Sequence, residues 1–324
     1  MSFKKTIFIP LIVVTVLYLY FVYAGLIPEG NISFSRIFFW RGPSPWESVR
    51  LIDRDIVSGL IAEFSGEREI KALAKAYPDR IDKVEKRDGE WALLLDGEWF
   101  YWQGGRLLPE SELEGGEVYR EFGFYDYPLE LPDEPPAPDE KQISRLERKR
   151  DVPVNSSFLD RLYGGASYTE IRRNLENIAF LGYRFDAHRR IVPVLRAVEE
   201  EIKELMAEDE SAERFIGILR NIECFSWREI DRSMRRSYHS YGIAVDLIPA
   251  DAGGKAVYWV WTRYYKRRWH DVPYERRWMV PEEIVNIFEK YGFIWGGKWL
   301  FYDNMHFEYR PELLILAGRD IKMP

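Results

Sequence analysis

From residue 81 to residue 109, apolar and polar positions alternate in short runs, broken at Arg87-Asp88-Gly89 and at Asp96-Gly97. Alternation marks strands with one buried face, and the Asp-Gly pairs mark hairpin turns. The segment therefore predicts a β-meander whose apolar side chains include Trp91, Trp99, Phe100, Tyr101 and Trp102. Residues 46–64 and 67–77 ahead of it read as short helices. Helical spacing returns over residues 167–181 with Ile171, Leu175, Ile178 and Ala179. It recurs over 192–206 with Val194, Leu195, Val198, Ile202 and Leu205, and a shorter helix is expected over 212–219. Residues 281–291 predict a last helix, with Pro281 in its first turn and Gly292 at its end. That helix feeds a strand over 293–295. Residues 242–249 read as a buried strand, with Ile243, Ala244, Val245, Leu247 and Ile248 around one acid, Asp246. His306-Phe307-Glu308-Tyr309 reads as another.

Two stretches lack this patterning. Lys4 and Lys5 precede an uncharged run from 6 to 27, long enough to cross a bilayer. Tyr18, Tyr20 and Tyr23 crowd its far end, where an interfacial aromatic belt lies. The expectation is a single-pass membrane anchor, with its N-terminus cytoplasmic and the rest facing the periplasm or cell wall. A signal peptide with Val22-Tyr23-Ala24 as cleavage site is the competing reading. Residues 127–139 are rich in Pro and acids and resist packing. The expected organisation is an anchor or uncleaved signal over 1–30 and a small helical and β-meander domain over 31–126. A linker over 127–143 and a catalytic domain over 144–324 follow. The net charge of −7 argues against a nucleic-acid partner. A single cysteine, Cys224, excludes an intrachain disulfide.

The chemistry concentrates near the C-terminus. Ser237-Tyr238-His239-Ser240-Tyr241-Gly242-Ile243-Ala244-Val245-Asp246 and Asp303-Asn304-Met305-His306-Phe307-Glu308 hold two of the chain's four histidines. Catalytic zinc takes three ligands from His, Cys or carboxylates and keeps a fourth position for water. His239, Asp246 and His306 supply such a set, for one zinc ion. Residues seven apart on a regular strand face opposite ways, so His239 and Asp246 converge only if the chain turns between them. Gly242 is free to take the backbone angle such a turn needs. Asp303 stands close enough to serve as a general base. Glu308 shares a strand face with His306 and reads as its hydrogen-bond partner. Trp295-Gly296-Gly297-Lys298-Trp299 reads either as a cleft-lining loop that brings Trp299 to substrate or as a packed hairpin. Tyr264-Tyr265-Lys266-Arg267-Arg268-Trp269 reads as a solvated basic loop. His188 and His270 lie outside the motifs and read as surface histidines.

The pattern S-x-H-x-x-G-x-A-x-D followed by D-x-x-H-F-E resembles the zinc D-alanyl-D-alanine carboxypeptidase superfamily. That superfamily includes VanY-type carboxypeptidases, vancomycin-resistance dipeptidases and L-alanyl-D-glutamate endopeptidases, and hedgehog domains are similar in fold. The resemblance covers roughly residues 221–314. It implies an α+β catalytic domain, with helices packed on an antiparallel sheet and zinc in a cleft. It implies zinc ligands at His239, Asp246 and His306 and a base at Asp303. Phe225-Ser226-Trp227-Arg228-Glu229-Ile230 looks like the stretch before the histidine motif, which makes Arg228 the expected substrate-binding or oxyanion-stabilising cation. Ser237 would support the metal shell. Many carboxypeptidases carry Glu at the position of Asp303, and the Asp form looks more like the endopeptidase branch. The expected substrate is the stem peptide of peptidoglycan, with the L-alanyl-D-glutamate bond favoured over a terminal D-alanine. A metal-stabilised wall-binding module is the reading of a different class.

Overall fold

Two Asp-Gly pairs shape the first sheet. Asp88 and Gly89, and again Asp96 and Gly97, all take positive φ, the conformation a two-residue hairpin turn requires. A computed structural model describes residues 66–136, 143–144, 152–230 and 235–323; the side chains of 229, 230 and 235 are left aside. A helix, α1, covers residues 66–76. It leads into β1 (Ile81–Arg87), β2 (Glu90–Leu95), β3 (Glu98–Gln103) and β4 (Arg106–Pro109), an antiparallel meander in sequential order. Phe100, Tyr101 and Trp102 are buried in it, so these aromatics form a core and offer no open stacking platform.

After α2 (Ser157–Tyr163) and the short α3 (Tyr168–Arg172), the chain departs from its helical spacing. The helix expected over 167–181 stops at Arg172. A hairpin follows, β5 (Leu175–Phe180) against β6 (Tyr183–His188). Leu181 and Gly182 turn it with positive φ. Along β5, Ile178 and Phe180 are buried while Asn177 and Ala179 are exposed. Burial along the strand follows a two-residue period through Ile178 and Phe180, and cross-strand pairing overrides the helical spacing of the apolar residues.

Among the remaining described residues, helices close to 192–206, 212–219 and 281–291 and strands close to 242–249, 293–295 and 306–309 are present as expected, and five further α-helices and strands carried no expectation. In chain order they are α4 (Val192–Glu208), α5 (Glu210–Gly217), β7 (Leu219–Glu223), β8 (Glu229–Ile230), β9 (Arg235–Arg236), β10 (Ala244–Pro249), α6 (Trp259–Arg263), α7 (Glu282–Lys290), β11 (Phe293–Trp295), β12 (His306–Tyr309) and α8 (Pro311–Leu316). The main sheet is antiparallel with order β11-β12-β10-β7. Phe288 of α7 stacks on Phe307 of β12 with ring centroids 4.2 Å apart. That contact fixes which face of β12 is apolar. Because strand side chains alternate, His306 and Glu308 turn to the other face. The mixed α+β architecture expected from the sequence is therefore present. Among the described residues no helix is long and apolar enough to cross a membrane. The run 6–27 and the helix expected over 46–64 lie outside the described residues.

Tyr127 and Leu129, in the stretch read as a linker, dock on the C-terminal sheet. The Tyr127 hydroxyl donates to Glu289 Oε1 at 2.5 Å and accepts from Trp295 N at 2.9 Å. Glu289 is fully buried and also binds Lys298 Nζ and Arg319 Nη1, while Lys298 Nζ reaches the Leu129 carbonyl. Removing one partner from such a cluster leaves buried charge uncompensated. Glu289→Ala is expected to cost about 3–5 kcal/mol of stability in urea denaturation. A loss under about 1 kcal/mol, the range of exposed ion pairs, would show that the cluster is not a stabilising unit.

Candidate metal centre

Gly242 makes the convergence possible. It follows a 3-10 turn, Tyr238–Tyr241, and adopts φ +68. A Cβ there would lie 2.7 Å from Leu175 Cδ2 and 2.9 Å from the His188 backbone nitrogen, so only glycine fits. The chain reverses at this point and enters β10, where Asp246 pairs directly with His306 of β12. His239 Nε2 then lies 3.1 Å from His306 Nδ1 and 3.2 Å from Asp246 Oδ2. His306 Nδ1 lies 2.9 Å from Asp246 Oδ1. All three ligand atoms fall within 4.8 Å of one another.

The outward nitrogens show how the rings are held. His239 Nδ1 donates to the Cys224 carbonyl at 2.5 Å, and His306 Nε2 donates to Glu308 Oε2 at 3.2 Å. Each donation turns the other ring nitrogen inward, where it can bind a metal once its own proton is released. Two such nitrogens facing a carboxylate are the donor set that zinc takes. Charge agrees with donor chemistry. Asp246, Glu308 and Glu312 are largely buried carboxylates, and Arg310 is the buried guanidinium among them. Asp303 adds a further carboxyl group beside Asp246, so acids outnumber the guanidinium here, a setting that favours a bound cation.

Ser237 and Ser240 shape the turn. Ser237 Oγ accepts from His239 N at 3.3 Å. Ser240 Oγ accepts from Arg228 N at 2.8 Å and donates to the Arg228 carbonyl at 2.6 Å. These bonds hold the strand segment carrying Arg228 beside the histidine turn. The Arg228 side chain is exposed, and its charge acts on Asp303. Asp303 sits on the loop between β11 and β12, where its backbone nitrogen donates to the Gly296 carbonyl at 3.0 Å. A Cβ at Gly296 would stand 2.5 Å from the Asp303 carbonyl oxygen. Gly296 is therefore needed for packing against the Asp303 backbone and Gly297 for packing against the Trp295 ring, and Trp299 lies beside the site with its ring 5.6 Å from that of His306. Asp303 Oδ1 is buried without a hydrogen-bond partner among the described residues. His188 and His270 are buried, contrary to the surface placement expected, and neither joins the cluster. His188 Nε2 is engaged by the Tyr163 carbonyl.

Electrostatics follow from burial and these partners. Burial opposes charge on Asp246, but His239 and His306 hold its carboxyl well below the usual range. Burial also opposes a proton on His306, yet Asp246 and Glu308 raise its pKa to about 10 in the metal-free chain. Burial and the neighbouring Asp246 push Asp303 up to about 7. A raised histidine pKa stabilises the fold fully below the unfolded value of 6.5 and ceases to do so as pH climbs through 10. The raised Asp303 carboxyl acts in the same direction between 3.8 and about 7. The metal-free chain is thus expected to lose thermal stability progressively from pH 6.5 to 10, and the zinc-loaded chain much less. A flat metal-free profile over that window would sink the assignment.

Sequence reading singled out the three residues that converge here, and Asp303 and Glu308 beside them. It missed the Cys224 carbonyl, Ser240 and Arg310. Arg310 was detectable, because it continues the alternation of His306 and Glu308 on one face. A backbone carbonyl carries no such signal.

His239, Asp246 and His306 form a group that could hold a metal ion. Residues 231–309 match the family model described as D-alanyl-D-alanine carboxypeptidase, in agreement with the resemblance carried by the sequence motifs. The matched segment contains His239, Asp246, His306 and Asp303. Residues 69–124 match a domain family of unknown function. No curated protein and no solved structure matches the chain.

Proposed function

We propose that this chain is a zinc peptidase that hydrolyses the stem peptides of peptidoglycan, with the L-alanyl-D-glutamate bond as its target. The observation that carries an enzymatic reading is Asp303. A carboxylate oxygen buried without a partner costs free energy unless water or substrate completes it. In the metal-free chain burial and Asp246 hold its carboxyl above the usual range, at about 7, and its position beside the converging residues suits a group that accepts and returns a proton. A wall-binding module has no use for such a group.

Bound zinc supplies an acidified water and a polarised carbonyl. His239 and His306 present their lone pairs in fixed orientation, and Asp246 neutralises charge between them. Asp303 takes the proton released by the attacking water and delivers it to the leaving amine. Arg228, held next to the histidine turn by Ser240, steadies negative charge on the carbonyl oxygen or a substrate carboxylate. Trp299, with its ring beside that of His306, offers an apolar surface to a bound substrate. The apolar run 6–27 behind Lys4 and Lys5 supports a membrane anchor, with the peptidase outside the cytoplasmic face.

The choice of bond rests on the Asp at position 303, the form seen in the endopeptidase branch. The test is mass spectrometry of purified muropeptides after incubation with the zinc-loaded chain. Release between L-alanine and D-glutamate is the expected result. Loss of a terminal D-alanine alone would make the chain a carboxypeptidase. Absence of any product from a folded, zinc-bound chain would overturn the enzymatic reading.

A further inference from the structure

The segment matched to a domain family of unknown function reaches the metal centre through buried side chains. Arg310 is the link. Its side chain is 2 % exposed and is held on several sides. Nη1 lies 3.6 Å from Glu308 Oε1, Nε donates to Glu312 Oε1, and Nη2 donates to the Gly123 carbonyl at 3.1 Å. Its guanidinium also lies over the Tyr238 ring. Glu312, 2 % exposed, turns its other oxygen to the Tyr77 hydroxyl at 3.1 Å. Tyr77 follows α1 directly, and its hydroxyl also meets that of Tyr163.

Tyr77 and Gly123 both belong to residues 69–124, and Glu308 and His306 belong to residues 231–309. One uninterrupted chain of buried polar contacts therefore runs from Tyr77 through Glu312, Arg310 and Glu308 to the outward nitrogen of His306. Buried charges in such a chain keep their geometry only while every member stays paired. We propose that the 69–124 module is a positioning element for the metal centre: Tyr77 and the Gly123 carbonyl fix Arg310, and Arg310 acts through Glu308 to orient His306. Tyr77 is a positioning residue in this scheme and touches neither metal nor substrate.

The inference rests on His306 being a metal ligand, so zinc affinity is the primary readout. Tyr77→Phe keeps the buried ring and removes only the hydroxyl. In the full-length chain, zinc affinity is measured by competition with a chromophoric chelator. Partners that orient metal ligands typically change affinity about 10- to 100-fold. Glu308→Ala is expected to show that loss, and Tyr77→Phe, further along the chain, about three- to tenfold. Combined with Glu308→Ala, Tyr77→Phe is expected to add nothing, because residues acting through one path are not additive. The visible spectrum of the cobalt-substituted chain is expected to change in Tyr77→Phe as well.

Unchanged zinc affinity in Tyr77→Phe, or an equal further loss in the Glu308→Ala background, would overturn the proposal. Should Tyr77→Phe not fold, Glu312→Gln is read in the same way. A wild-type chain that binds no zinc would instead remove the ligand assignment on which the proposal stands.

Discussion

Asp303→Asn is expected to lower peptide hydrolysis by about 10²- to 10⁴-fold, the range contributed by a positioned general acid–base group, while zinc content stays at the wild-type level. The amide keeps the size and much of the hydrogen bonding of the carboxyl but cannot accept a proton. Asp303 is not among the three converging ligand residues, so metal binding does not depend on it. Its backbone contacts, the nitrogen to Gly296 and the carbonyl accepting from His306 N, are unaffected by the change. Asp303 also lies against Asp246, whose charge raises its pKa. Neutralising it removes a repulsion, and the variant is expected to be as stable as wild type or slightly more so. Initial rates on muropeptides, zinc content and a urea melt together make the test. Wild-type rates in Asp303→Asn would end its assignment as the base.

Asp246→Asn carries the second large effect, a loss of zinc affinity of more than about 100-fold, beyond what altering an orienting partner produces. Asp246 supplies the negative charge between His239 and His306, at 3.2 Å from one imidazole nitrogen and 2.9 Å from the other. An amide is a poor ligand for zinc and leaves the cation without its adjacent compensating charge. Stability offers an independent readout. A ligand present at a hundredfold excess over its Kd stabilises the folded state by about 2.7 kcal/mol. Wild type is expected to gain that much on adding zinc, and Asp246→Asn to gain almost none at the same concentration. Equal zinc-dependent stabilisation in both would show that metal binds elsewhere.

Asp246 also shows how far local pattern reaches. A single acid inside an apolar strand is costly without partners, so the sequence alone required something to meet it. The sheet supplies that partner by placing His306 directly across from it in the antiparallel register. Gly242 was legible as a turn, and the clash a Cβ would make with Leu175 and His188 N gives that turn its reason. Ile171, Leu175 and Ile178 keep helical spacing, yet only Ile171 lies in a helix while Leu175 and Ile178 fall in β5. The turn at Leu181-Gly182 decides for the strand only once β6 is there to pair.

Residue types and spacing were enough to single out His239, Asp246, His306 and the nearby Asp303 and to mark the meander, and the motifs they form carry the resemblance that implied the α+β class. These depend on neighbours in sequence, on strand alternation and on the chemistry of each side chain, all of which are local. Tertiary structure alone could connect Tyr77 to His306 across Glu312, Arg310 and Glu308, bury His188 and His270, and seat Tyr127 against Glu289. Those arrangements join residues far apart in the chain. They form because buried charges and hydroxyls must find partners wherever packing happens to bring them together, and no period along the sequence records where that is.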